Sequence, residues 1–220
     1  IKNDLNRTKR DHIAVIDRLY KRRKKKLDIK GLRPNASDKV SYINIDDQFS
    51  QKLIRKSLKQ YNYSTKINVD NGIYLTDTIL SNLFENIFKF KISEGLGNKE
   101  LNTNITDHKI RLNLGGSVNI SNSLPVILLM LDLGISLGNV IDSLDKLLPV
   151  AGRFELIKRH PFTVFVDYAH EQLGMKALLE DSRKYSDYLF DKKGRRPKLT
   201  VLLGAEGGGR DKEKRFPMGE

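Results

Sequence analysis

The chain of 220 residues contains no cysteine and no tryptophan, and only six prolines. Without cysteine it forms neither disulfides nor thiolate metal sites, which fits a reducing compartment. Long apolar runs are also missing, because the longest, LPVILLMLDLGI at residues 124–135, carries Asp132 and a glycine. That run is shorter than the roughly 18 residues of a membrane-spanning helix, so no membrane span is expected. No signal-peptide pattern opens the sequence.

The two ends of the sequence are unusual. It begins with Ile1 rather than methionine, and it stops at PMGE in what the pattern predicts to be the first turn of a helix. We therefore expect a fragment of a longer protein. Apolar residues make up 39% of the chain, which is enough for a packed core and argues against wholesale disorder.

The charge is strongly positive, with 40 Lys and Arg against 27 Asp and Glu, a formal net charge of +13. Much of it lies in YKRRKKKL at residues 20–27. Such a run is typical of a solvated helix face, and it also suits anionic small substrates such as ATP and a UDP-sugar. A nucleic-acid surface is a third interpretation. Beyond Tyr20 no aromatic residue is interleaved with the basic run, so we expect no nucleic-acid partner.

Hydrophobic periodicity predicts an α/β chain in which short strands alternate with helices. Gly134 is expected to end the first of two apolar helices and Ser136 to cap the second, while Pro125 is placed in a first helical turn. The region of residues 62–114 predicts mostly antiparallel strands. The other predicted elements are a helix at 9–30, a strand at 40–46, an amphipathic helix at 46–61 and the two apolar helices at 122–134 and 136–148.

A hinge is predicted where Pro149 and Gly152 interrupt the helical pattern. We place a domain boundary there, which divides the chain into residues 1–151 and 152–220. The second part predicts a strand at 162–170, a helix at 171–190 and a strand at 199–204. Together these form one βαβ unit, which requires a parallel sheet and a right-handed crossover.

Ligands of open parallel sheets gather at the carboxyl ends of the strands, and here two such ends carry chemistry. The first delivers Asp167 and His170, although Asp167 is also able to cap the following helix and His170 to be merely solvated. The second delivers GAEGGGR at residues 204–210, which lacks the Gly-Lys-Ser/Thr of a P-loop but is able to turn backbone N–H groups toward an anion. Arg210 suits a carboxylate or phosphate, and Asp211 either holds that arginine or pairs with a substrate amine.

Two further candidates are less specific. His12, next to Asp11 in TKRDHI, is able to bind a divalent metal, but the pattern equally describes a polar helix start. Asn119 and Asn122 stand at the entry of a helix, where an asparagine is usually a cap and where an amide is also able to read an adenine edge.

Four stretches in this order resemble the Mur ligase family, the ATP-dependent amide-forming ligases of peptidoglycan precursor synthesis. YINIDD at 42–47 resembles the family's N-A-D-D strand end, and VNISNSL at 118–124 its F-N-V-x-N-A-L helix entry. AGRFELI at 151–157 with FTVFVDYAH at 162–170 resembles P-G-R-M-E with V-D-Y-A-H. GGGRDKEKRFPMG at 207–219 resembles G-G-D-R-D-K-G-K-R-P-L-M-G, and the last two point to the branch that makes UDP-N-acetylmuramyl-tripeptide.

The resemblance implies a fold and an activity. It implies the C-terminal part of a central ATPase domain, with a mixed sheet and helices, followed by the first βαβ of a Rossmann-like domain. It implies addition of an amino acid to a UDP-MurNAc-dipeptide through an acyl phosphate, with ATP and Mg²⁺ as cofactors, in a cytoplasmic monomer. It also implies a P-loop upstream of residue 1 and an amino-acid-selecting motif beyond residue 220, so that this chain alone is expected to be inactive.

Residue roles follow from the same resemblance. Arg153 and Asp167 are implied to contact ATP, with His170 close by and Asn119 near the base. Arg210, with Asp211 beside it, matches the position that binds the carboxylate of the incoming amino acid.

The resemblance also implies a Mg²⁺ ligand. The stretch RDHI at residues 10–13 resembles the family's R-D-H-L, which makes His12 the candidate ligand. A carbamylated lysine follows in the family: the pattern with Tyr20 and Leu27 selects Lys24, whereas ungapped counting selects Lys26. Ala14 stands where the family has an aspartate, so a non-catalytic Mur-like binding or complex subunit is the alternative function.

Overall fold

A computed structural model of the chain describes residues 40–53, 59–93, 107–158 and 161–204, together with Phe216. All of them fall within one compact unit that begins at Val40. The helices and strands are β1 (Val40–Asn44), β2 (Lys59–Ser64), β3 (Gly72–Ser81), β4 (Asn86–Ile92), β5 (His108–Leu112), α1 (Val118–Asp132), α2 (Leu137–Asp145), β6 (Glu155–Lys158), β7 (Val164–Val166) and α3 (Gln172–Lys193). No helix among these residues is long and apolar enough to cross a membrane.

Strands β1 to β5 form one mixed sheet in the order of the chain. β1, β2 and β3 are parallel, whereas β4 and β5 continue antiparallel. The predicted α/β fold with a mixed sheet is therefore confirmed. The expectation of mostly antiparallel strands holds from β3 to β5 but is wrong for the pair β2 and β3. Residues 65–71 are enough to connect this parallel pair, because only Asn62–Ser64 and Gly72–Tyr74 overlap. The connection has to return along β2 by only a few residues before β3 begins.

One face of the sheet carries the core. Alternate residues of β4, namely Phe88, Phe90 and Ile92, are buried, as expected for a strand with one covered face. They belong to one cluster with the apolar stripe of α1, which recurs at Ile120, Leu124, Ile127, Leu128 and Leu131. That spacing is the one a helix needs to bury a single face.

The helix boundaries confirm two predictions and correct one. Gly134 (φ 82°) follows the end of α1, and Ser136 caps α2 by accepting the N–H of Asn139 at 3.4 Å. Pro125, however, lies inside α1 rather than in its first turn, because the helix begins at Val118. The buried Ile120 extends the apolar stripe by one turn toward the N-terminus, and this burial outweighs the hydrogen bond that proline cannot donate.

The predicted amphipathic helix at 46–61 is wrong at both of its described ends. Ser50–Leu53 form one 3₁₀ turn, and residues from Lys59 onward belong to β2. Tyr61 is buried against Tyr42 of the neighbouring strand, with ring centroids 5.9 Å apart. Pairing with β1 and β3 therefore decides the structure of this segment, as is common for aromatic residues in half-buried strands.

The predicted βαβ unit is also wrong in its second strand. β6 and β7 pair antiparallel in a two-stranded sheet, and α3 follows as expected. Residues 199–204 form no strand, and Leu202 is fully exposed. A buried parallel strand needs hydrogen-bonding neighbours and apolar cover, and the described residues supply neither at this position.

A polar cluster joins the start of the sheet to the end of α1. The carboxylate of Asp132 accepts hydrogen bonds from Tyr42 Oη (3.0 Å), Lys59 Nζ (2.7 Å) and Tyr61 Oη (3.3 Å). Burial, followed by the adjacent Asp132 carboxylate, raises the pKa of Tyr42 far above its ordinary value. The lysine also offsets the unfavourable placement of a carboxylate at a helix C-terminus.

Replacing Asp132 by alanine is expected to lower the free energy of unfolding by about 2 kcal/mol, since three donors lose their shared acceptor. Folding favours the neutral phenol of Tyr42, because its pKa is higher in the folded than in the unfolded state. The contribution of this phenol to the free energy of unfolding is therefore full below the unfolded pKa of about 10, and it is lost as the pH rises through the folded pKa. In the variant the pKa of Tyr42 should fall but stay raised, because its burial remains.

Urea unfolding measures the loss of stability, and tyrosinate absorbance against pH measures the change in the pKa of Tyr42. The control is Asp142→Ala, on the exposed side of α2. An unchanged titration of Tyr42 would contradict the assigned cause.

Candidate functional site

The loop between β5 and α1 is held in place by the sheet. Gly116 N–H donates to the carbonyl of Asn82 at 2.8 Å. The side-chain amide of Asn86, which is completely buried, donates to the carbonyls of Leu114 (2.7 Å) and Gly116 (2.9 Å). Gly115 packs so tightly that an added Cβ would lie 2.0 Å from the carbonyl oxygen of Leu83. The loop therefore has one well-determined position at the carboxyl end of β3.

Asn119 lies in the first turn of α1, directly after this loop. Its Nδ2 donates to the carbonyl of Gly115 at 2.6 Å, and its Oδ1 accepts only a long contact of 3.5 Å from Asn122. The residue that precedes the helix, Ser117, makes no side-chain cap. The first bond orients the Asn119 amide and leaves its oxygen as the better acceptor for a ligand.

The turn between α2 and β6, where the hinge is predicted, contains a strained residue. Phe154 has φ 52°, a left-handed conformation that costs a non-glycine residue roughly 1–2 kcal/mol. Its N–H donates to Asp167 Oδ2 at 2.7 Å, and its ring packs on Phe165 with centroids 5.3 Å apart. Asp167 directly follows β7, so the end of this strand fixes the backbone of Phe154.

Arg153, which is exposed, stacks its guanidinium 5.0 Å from the centroid of the Tyr168 ring. The His170 ring also packs on Tyr168, with ring centroids 5.0 Å apart, and His170 Nδ1 is 2.9 Å from the Tyr168 carbonyl oxygen. Stacking on an aromatic face leaves the edges of the guanidinium available to an anion.

The loop before Asn119 packs on Phe154. The Cβ position of Gly116 (φ 85°) is 3.7 Å from the Phe154 ring. Of the predicted residues, Asp167 thus binds the backbone next to Arg153, Asn119 follows the loop that packs on Phe154, and His170 stacks on Tyr168. The other predicted residues lie outside the described part of the chain: His12, Lys24, Lys26, Arg210 and Asp211.

The sequence did not predict three residues that shape the candidate site: Phe154, Tyr168, on which Arg153 and His170 stack, and Asp181. Asp181 is only 7% exposed, and its Oδ2 accepts the N–H of Ser117 at 2.6 Å. Its position did carry a signal, because it lies on the same side of α3 as the apolar Leu178 and Tyr185. The left-handed φ of Phe154 has no signal in the sequence.

Asp46 lies in the stretch that resembles the family's strand end, and its carboxylate binds other residues of the sheet region. Its carboxylate accepts hydrogen bonds from Ser64 Oγ (2.5 Å) and from Thr65 N (2.7 Å) and Oγ1 (2.9 Å). Burial acts to raise the pKa of Asp46, but these hydrogen bonds outweigh it and lower the pKa. The residue therefore stabilises the link between β1 and β2.

A metal site is not formed by the described residues, which contain no group of three or more His, Asp or Glu side chains that could hold an ion.

Comparison with known proteins gives relatives over most of the chain. The UDP-N-acetylmuramoyl-L-alanyl-D-glutamate--2,6-diaminopimelate ligase of Caldanaerobacter subterraneus subsp. tengcongensis is 32% identical over 185 residues, 83% of this chain and 33% of the relative. No family model matches the chain.

Solved structures agree on the fold. MurF from Acinetobacter baumannii superposes with a TM-score of 0.53 at 19% identity, over 64% of this chain and 28% of that one. The MurF ligase from Thermotoga maritima in complex with ADP gives a TM-score of 0.50 at 15% identity, over 66% and 31%. The chain spans about a third of the length of the curated relatives it matches. By these relatives and this fold, the chain belongs to the Mur ligase family.

Proposed function

We propose that this protein catalyses ATP-dependent amide-bond formation between an amino acid and a UDP-MurNAc-peptide in peptidoglycan precursor synthesis. The observation that carries the proposal is that, in a chain of the Mur ligase family, Asp167 binds the backbone next to Arg153 while the loop before Asn119 packs on the same residue, Phe154. The relatives are named for joining 2,6-diaminopimelate to UDP-N-acetylmuramoyl-L-alanyl-D-glutamate. We extend that pair of substrates to this protein as the first to test.

The three residues offer complementary chemistry for a nucleotide. The oriented amide of Asn119 presents an oxygen that suits the amino group of adenine. Asp167 Oδ2 accepts the hydrogen bond from Phe154 N–H, and Asp167 Oδ1 suits a ribose hydroxyl. The exposed guanidinium of Arg153, steadied on Tyr168, suits the phosphates. A solved relative of the same fold carries ADP, which supports ATP as the energy source.

The proposed reaction has two steps. An oxygen of the acceptor peptide's carboxylate attacks the γ-phosphorus of ATP, so that ADP leaves and an acyl phosphate forms. The amine of the amino acid then attacks the acyl carbon, loses a proton, and phosphate leaves as the amide forms. In this proposal Asn119, Arg153 and Asp167 hold and orient the nucleotide rather than exchange protons.

A divalent metal, when bound, supplies charge neutralisation for phosphoryl transfer. The proposed holders, His12 and a carbamylated Lys24, lie outside the described residues, so no step is assigned to the ion. Lys26 stays the alternative to Lys24.

The domain division is part of the same proposal. We place the boundary at residue 152, so that the nucleotide groups of residues 1–151 and the amino-acid groups Arg210 and Asp211 come from different domains. Movement about Phe154 would then bring ATP and the amine together. We further propose a monomeric, cytoplasmic protein without a nucleic-acid partner.

The test is ligation by the protein expressed from its complete reading frame. UDP-MurNAc-L-alanyl-D-glutamate, ATP and diaminopimelate should give ADP, phosphate and the tripeptide, with lysine as the competing amino acid. Arg210→Ala should raise KM for the amino acid at least about 10-fold while KM for ATP changes little, since one charge-assisted bond is lost. Arg210→Lys, which keeps the charge without the fork, should lie between them.

Two results would contradict the proposal. Absence of ligation with any amino acid, while the nucleotide still binds, would favour a non-catalytic Mur-like subunit. Equal changes in both KM values for Arg210→Ala would remove the carboxylate assignment.

A further inference from the structure

The carboxylate of Asp181 caps a helix that belongs to a distant part of the chain. Asp181 lies in the middle of α3, and its Oδ2 accepts the N–H of Ser117, 64 residues away, at 2.6 Å. Ser117 precedes α1 and supplies no cap of its own. Lys184 Nζ lies 3.2 Å from the other carboxylate oxygen. A carboxylate at this helix end satisfies a backbone donor and meets the positive end of the helix dipole.

Asp181 differs from the other polar tethers of this loop in where it comes from. Asn82 directly follows β3 and Asn86 begins β4, so both hold the loop whatever α3 does. Asp181 holds the loop only while α3 is packed against the turn between these strands. Its Oδ2 lies 3.7 Å from the Cβ position of Gly116, three residues before Asn119.

Aromatic contacts supply the rest of the same interface. Phe84, in the turn between β3 and β4, packs edge-to-face on Tyr185 of α3 with centroids 5.3 Å apart, and on Phe165 at 5.7 Å. Tyr185 follows Asp181 by four residues and therefore shares its side of the helix. Apolar contact of this kind holds α3 on the turn but tolerates sliding. The buried hydrogen bond from Ser117 to Asp181 fixes one register.

We propose that Asp181 is a positioning residue that couples nucleotide binding at Asn119 to the docking of α3 against the turn between β3 and β4. The inference rests on the nucleotide site proposed above. When α3 is docked, Asp181 holds the first turn of α1 and thereby the Asn119 amide. By linkage, a nucleotide that selects this loop geometry favours the docked helix to the same extent. Coupling of this kind typically amounts to about 10-fold in affinity.

The experiment uses the protein from its complete reading frame and a fluorescent ADP analogue. Asp181→Ala should weaken ADP binding about 10-fold. It should also remove the ADP-dependent part of the hydrogen-exchange protection in residues 172–193. Asp181→Asn retains an acceptor for Ser117 N–H and should restore most of both properties. Glu180→Ala is the matched control, because Glu180 is exposed one position away and makes only a 4.0 Å surface pair with Lys176; it should behave like the unaltered protein.

Each other outcome has a definite meaning. If Asp181→Ala binds ADP as the unaltered protein does, the inference is wrong while the proposed function stands. If protection falls equally with and without ADP, Asp181 is merely structural and the inference is again wrong. If Asp181→Ala does not fold, hydrogen exchange of the unaltered protein decides, and ADP that leaves the protection of residues 172–193 unchanged would overturn the coupling. No ADP binding by the unaltered protein would overturn the proposed function and this inference with it.

Discussion

Replacing Gly115 by alanine is expected to lower the free energy of unfolding by at least about 3 kcal/mol. The new Cβ would lie 2.0 Å from the carbonyl oxygen of Leu83, 2.1 Å from its carbonyl carbon and 2.6 Å from the nitrogen of Phe84. All three are backbone atoms, so no side chain is able to move aside. Retreat of the loop would break the bonds from Gly116 to Asn82 and from Asn86 to the loop.

The matched control for this prediction is Gly138→Ala. An added Cβ at Gly138 meets no atom within 4 Å, and the residue lies in the first turn of α2. There alanine should be neutral or stabilise by up to about 1 kcal/mol. Urea unfolding followed by circular dichroism measures both variants, and equal stabilities would show that the loop is less tightly placed than described.

Replacing Asp167 by alanine in the protein from its complete reading frame is expected to reduce kcat/KM for ATP at least about 100-fold. The change removes the acceptor for the N–H of Phe154, whose left-handed backbone then lacks its restraint. The Arg153 guanidinium would shift with the hinge, and the proposed ribose contact would be lost. Misplacement of a positioning group by about 1 Å is enough for an effect of this size.

Two further variants separate the roles of Asp167. Asp167→Asn retains an oxygen for the Phe154 N–H and should keep most of the stability, while losing the charge. Asp142→Ala removes an exposed carboxylate from α2 and should leave both stability and kcat/KM unchanged. Steady-state kinetics with varied ATP, together with thermal unfolding, tests the set. Activity of Asp167→Ala within a few-fold of the unaltered protein would refute the assignment of Asp167 to the nucleotide site.

Local patterns in the sequence predicted much of the fold. The apolar stripe of α1, the alternation of β4, the stop at Gly134 and the cap at Ser136 each depend on neighbours within a few residues. The four motif stretches likewise led to the Mur ligase family before any fold was known. They also nominated Asn119, Arg153 and Asp167, whose roles stay predictions.

The predictions that failed depend on partners far along the chain. Lys59–Tyr61 has the pattern of a helix end, but pairing with β1 and β3 makes it a strand. Residues 199–204 have the pattern of a buried strand, but no described neighbour pairs with them.

The sequence by itself determined the family, the positions of most of the described helices and strands, and the residues that carry polar chemistry, while the helix predicted at 9–30 lies outside the described residues. Only the tertiary structure decided how these parts meet: the left-handed Phe154 held by Asp167, Gly115 pressed against the backbone of Leu83, and Asp181 capping a helix 64 residues away. The physical reason is range. Helix periodicity, capping and turn propensity act over a few residues, whereas close backbone approach and buried hydrogen bonds arise only between segments that the fold has already brought together.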